Sequence, residues 1–140
     1  MADNKGPAID LASLVSAALG TPATPLYLDR LSGQLLPVEE VAARVGAVVA
    51  VQERYVRVPA IHPRVRLDDA RDFVTAIPDY PLRRRLEGIV RGPRAPWAFE
   101  RELTHQPALA GAWQSWERTC ATARMLGWLG RIGLPFAYPD

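Results

Sequence analysis

An α+β fold is what these 140 residues predict: one helix, then a small antiparallel sheet with a β-hairpin, then a C-terminal cluster of about four helices. Three observations carry the expectation. Apolar residues recur at three- and four-residue steps from residue 11 to 19. Two short runs of strand-forming residues, "LYLDR" and "QLLPV", flank a turn at 31 to 33. From Leu67 the helical step returns and persists to about residue 129. Helix and strand segregate into blocks instead of alternating, which separates this class from the parallel α/β folds.

Each element has a local cause. Asp10 is placed to cap a helix whose stripe is Leu11, Leu14, Val15, Ala18 and Leu19, and Gly20 ends it. The prolines of "TPATP" hold the next residues extended. A hairpin over about 25 to 38 then turns at "LSG", where Gly33 is able to take positive φ, with Pro37 at the margin of its second strand. "VEEVAARV" has helical spacing with acids at its start, and Gly46 supplies a stop. In "AVVAVQERYVRVP" the β-branched content predicts strand, with Val56 and Val58 on one face and Tyr55 and Arg57 on the other.

Pro59 and Pro63 bracket a loop containing His62, and Asp68 or Asp69 is expected to cap the helix carrying Ala70, Phe73, Val74 and Ile77. A second helix opens at "DYP", places Leu82, Leu86, Ile89 and Val90 inward and closes at Gly92. A third holds "GPRAPWAFEREL", in which Ala95, Phe99 and Leu103 share one face. The last starts at Pro107 and carries Leu109, Trp113, Trp116, Cys120 and Ala123.

Length predicts a single domain over 10–136, with a flexible N-terminus at 1–9 and a short tail at 137–140. At 49% hydrophobic and 23% charged residues the composition matches an ordinary globular protein and excludes the disordered class. Neither a bilayer-length apolar run nor a secretory leader is legible, so a cytoplasmic location without a membrane partner is expected. One cysteine, Cys120, excludes an internal disulfide and leaves too few soft ligands for structural zinc.

Several of these segments together resemble a known family. "LYLDRLSGQLLPV", "RYVRVP", "ARDFVTAIPDYPLRRRLEGIV", "GPRAPWAFEREL" and "PALAGAWQSWE" with "WL" at 128 and 129 follow, in order, the motifs of a bacterial uncharacterised protein family of the UPF series, number 0158. The resemblance spans residues 11 to 129 and implies a compact intracellular bacterial domain. It brings no activity, so it assigns no catalytic residue. The chain departs from the family pattern at 96 to 101, where a second aromatic and a basic run are usual and Pro96, Trp97, Glu100 and Arg101 stand.

Chemistry-bearing residues are sparse. Cys120 with His62 or His105 would be the material of a nucleophilic enzyme of unrecognised type, yet no spacing joins them. Phosphate-binding glycine loops and zinc signatures are missing from the sequence, so no cofactor and no metal is expected. The net charge is +2, but residues 1 to 53 hold three bases against six acids and the basic groups concentrate beyond them.

Arginine and tryptophan dominate protein contacts. The leading expectation is therefore a non-enzymatic interaction or regulatory domain that presents Trp97, Arg101, Tyr55, Arg57, Arg83, Arg84 and Arg85 to another protein. Trp97 lies one turn before Arg101, where ring and guanidinium can stack; packing in the core or at its edge is the expected role of the ring itself, ahead of stacking on a ligand. A nucleic-acid-binding module would instead use Arg54, Arg57, Arg64 and Arg66, an Arg-rich strand and loop. Homodimerisation through a strand edge or tryptophan patch is a further alternative.

Overall fold

A computed structural model of the chain describes residues 8–20, 25–45 and 54–134. The expectations for the first seven residues, the extended stretch at 21 to 24, the Gly46 stop, the strand over 47 to 53 and the C-terminal tail lie outside the described residues. The fold is α+β: an N-terminal helix, a three-stranded antiparallel sheet and further helices. Two compact units divide the chain, residues 1–60 with 121–140, and residues 61–120.

The first unit opens with helix α1 (Leu11–Leu19), where the Asp10 carboxylate accepts the Ser13 N–H and buries Leu14, Val15 and Ala18 one turn on. Strands β1 (Leu26–Asp29) and β2 (Leu35–Pro37) form the hairpin, with Tyr27 opposite Leu36. Gly33 sits at φ 79° in the turn between them, a conformation that a Cβ disfavours. Pro37 ends an edge strand, where its missing N–H costs the ladder nothing. Helix α2 (Val38–Val45) packs against β1 and β2, and strand β3 (Tyr55–Arg57) pairs with the free side of β1, in the order β2-β1-β3.

Tyr55 corrects one expectation. It is 4% exposed and packs with Leu36 and Val41 on the α2 side of the sheet. Leu28 and Val58, on the opposite side, are buried too. Both faces of the sheet are covered, so alternation along β3 does not divide core from solvent.

The second unit begins with helix α3 (Pro63–Thr75), which starts a full turn earlier than expected. Pro63 does not break the chain there; it is the first helical residue, and the His62 Nδ1 accepts the Arg64 N–H at 3.0 Å as the cap. Asp68 and Asp69 therefore lie inside the helix, Asp68 paired with Arg71 and Asp69 buried. Helix α4 (Tyr80–Val90) is capped by Asp79, and α5 (Ala95–Leu103) buries Ala95, Phe99 and Leu103 along one face, as their spacing requires.

Helix α6 (Pro107–Arg131) contributes residues up to Cys120 to this unit and later ones to the first. The core of the second unit joins Phe73, Val74, Leu86, Val90 and Phe99 to Trp113. Trp113 stands edge-on to Phe99 at 5.3 Å between ring centres and tilted against Phe73 at 5.4 Å, arrangements that the ring quadrupoles favour. The end of α6 closes with Gly133 at φ 83° and the Leu134 N–H donating to the Leu129 carbonyl, so that the last carbonyls are satisfied.

Candidate functional site

Helix geometry places the residues of α5 on opposite sides. Trp97 and Phe99 are two residues apart, hence about 200° apart around the axis. With Phe99 in the core, Trp97 must point to solvent, and it is 56% exposed. It is not a core-edge ring. Arg101, one turn on, sets its guanidinium over the indole at 5.1 Å from the ring centre, the stacking that the spacing predicts. Arg94, the residue preceding the helix, is exposed, with a non-helical backbone at φ −109° and ψ 29°.

The other arginines of the expected contact surface are differently placed. The Arg83 Nη1 donates to the Ile77 carbonyl at 3.0 Å, and its guanidinium lies over Tyr80. Arg84 approaches Glu87 at 3.8 Å, and Arg85 pairs with Glu102 at 2.6 Å. Arg83 is half-buried, whereas Arg84 and Arg85 are exposed while each meets a carboxylate of its own unit. Arg57 is exposed, but Tyr55 beside it is core.

Two of the four arginines of the nucleic-acid alternative are engaged as well. Arg54 forms a two-pronged pair with Asp29, Nε to Oδ1 and Nη2 to Oδ2, both at 3.0 Å. Arg66 pairs with Glu117 at 2.8 Å. Arg57 and Arg64 are exposed and belong to different compact units.

Asp29 is the charged residue that the sequence reading passed over. Fully buried, it accepts the Leu31 N–H and the Ser32 hydroxyl besides the Arg54 fork. The Arg54 guanidinium, more than any other group, holds its carboxyl well below the usual carboxylate range. An aspartate two and three residues ahead of the groups it caps is an Asx-turn signal, and "DRLSG" contains it. Its role is to lock the hairpin turn and the start of β3.

The candidates for catalysis do not assemble. His62 caps α3, His105 is exposed beyond α5, and no group of three or more His, Cys, Asp or Glu among the described residues could hold a metal. Cys120, expected to be buried, is half-buried and lines an apolar groove of about 660 Å³ with Phe73, Ile77, Pro78, Leu109 and Trp116. Among the described residues no helix is long and apolar enough to cross a membrane. Comparison of the chain with protein-family models, curated proteins and solved structures finds no match.

Proposed function

We propose that this chain is a non-enzymatic protein-interaction domain whose contact surface is the solvent face of α5, centred on Trp97 and Arg101. One observation carries the reading: a tryptophan 56% exposed on a helix whose opposite face is fully buried, with an arginine held against its ring. Tryptophan and arginine are enriched among the residues that carry the energy of protein contacts when a partner excludes water from them. In this reading the domain is regulatory, and the bacterial cytoplasm is the setting that the family resemblance implies.

Affinity capture with the tagged chain and with its Trp97→Ala variant, each with and without nuclease, tests the proposal. A protein that survives nuclease and is lost with Trp97 is the expected result. A partner retained equally by the variant, or one lost to nuclease, overturns it.

A further inference from the structure

Among the arginines of the second unit, Arg66, Arg71, Arg84 and Arg85 each pair with a carboxylate of the chain, and Arg83 donates to the Ile77 carbonyl. Arg64, Arg91, Arg94 and Arg101 are exposed and have no ion pair among the described residues. Two of them, Arg94 and Arg101, stand three residues before and four residues after Trp97. Of the two carboxylates on α5, Glu102 is engaged by Arg85, and Glu100, on the flank of the ring away from Arg101, pairs with no described residue.

We infer that the partner docks an acidic peptide segment on this face, with one carboxylate on Arg101, another on Arg94 and an apolar side chain over Trp97. The inference rests on reading α5 as the interaction surface. The Arg101 guanidinium lies over the indole at 5.1 Å from the ring centre and has no ion pair among the described residues, and a guanidinium fork matches a carboxylate in two-pronged pairing. The stack also restricts the arginine before binding, so less side-chain freedom is lost when the pair forms.

Spacing defines the segment. Arg94 and Arg101 are seven residues apart, about 10 Å along a helix. Carboxylates three residues apart on a polyproline-II chain, or two turns apart on a helix, share one side and match that distance. A nucleic-acid strand is the poorer occupant, because backbone tracking needs a longer row of unpaired cations than this face supplies.

Calorimetric titration of the full chain tests the assignment with three probes: a short peptide of glutamate interspersed with leucine, its glutamine counterpart, and a strand of oligothymidylate. The acidic peptide is expected to bind and the glutamine peptide to fail. Trp97→Ala and Arg101→Gln are each expected to weaken it about tenfold or more, and Arg101→Lys to restore only part, since an ammonium lacks the fork. Arg71→Gln, which removes a charge already paired with Asp68, is expected to change affinity less than about twofold. Circular dichroism of each variant confirms that it folds.

Equal binding of the glutamine peptide, tighter binding of oligothymidylate, or no binding of the acidic peptide overturns the inference. If Trp97-dependent capture of a protein persists while the acidic peptide fails, this assignment falls and the interaction reading stands. Capture indifferent to Trp97 removes both.

Discussion

Asp29 accepts from the Leu31 N–H, the Ser32 hydroxyl and both prongs of Arg54, and its burial makes the consequences of removing it large. Asp29→Ala leaves the Leu31 N–H, the Ser32 hydroxyl and the Arg54 fork without their acceptor. Loss of about 2–4 kcal/mol is expected in urea unfolding, the range for breaking a buried charged pair whose partner stays partly solvated. The pH dependence has a definite sign. The folded carboxyl titrates below the unfolded value of about 3.9, so within that interval the unfolded chain binds the extra proton. Its stabilisation is complete above about pH 4 and is lost progressively as the pH falls further, and Asp29→Asn is expected to flatten that acid limb. The Arg54 side chain is 43% exposed, so solvent screens its half of the pair. The deeper cost of a substitution therefore lies with Asp29.

Among the helices, α5 separates packing from function most cleanly. Phe99→Ala is expected to cost about 3–5 kcal/mol by opening a cavity beside Trp113, whereas Trp97→Ala on the opposite face is expected to stay within about 0.5 kcal/mol. Chemical denaturation of the two variants side by side checks the assignment. The cap of α3 yields a smaller effect: His62→Ala removes the acceptor of the Arg64 N–H and is expected to cost about 0.5–2 kcal/mol, with Asn recovering most of it. The α1 and α4 boundaries were legible because cap and periodicity coincide there, at Asp10 and Asp79, and α5 because the Ala95, Phe99, Leu103 step stands beside a breaker. At α3 they conflict. His62 is not a usual cap residue, and the first turn alternates Arg64 and Arg66 with Val65 and Leu67, so no apolar stripe marks its start until Ala70. Tyr55 was misplaced for a different reason, since alternation reports which residues share a face but not whether one face or both are covered. The exposure of Trp97 was half legible: the angle to Phe99 is in the spacing, whereas the absence of a covering element requires coordinates.

For the whole chain, a net charge of +2 reflects 17 basic against 15 acidic side chains, and six of the arginines meet a carboxylate, at Asp29, Glu40, Asp68, Glu87, Glu102 and Glu117. So small a net charge gives a weak long-range field and little steering of a distant partner. Discrimination then depends on where individual side chains stand, which is why composition could indicate a basic protein but not locate a surface. The exposure of Trp97 has an optical consequence. Trp113 and Trp128 are each 8% exposed and Trp116 is half-buried, so the four indoles differ sharply in access to solvent. Iodide is expected to quench Trp97 first, drawn by the adjacent Arg101, and to strip the long-wavelength edge of the emission. Trp97→Phe should abolish that fraction and blue-shift the remainder; an unchanged quenching curve would show that the accessible indole lies elsewhere. The chain thus carries its own intrinsic reporter at the position where a partner would shield it, and occupancy can be followed without attaching a dye.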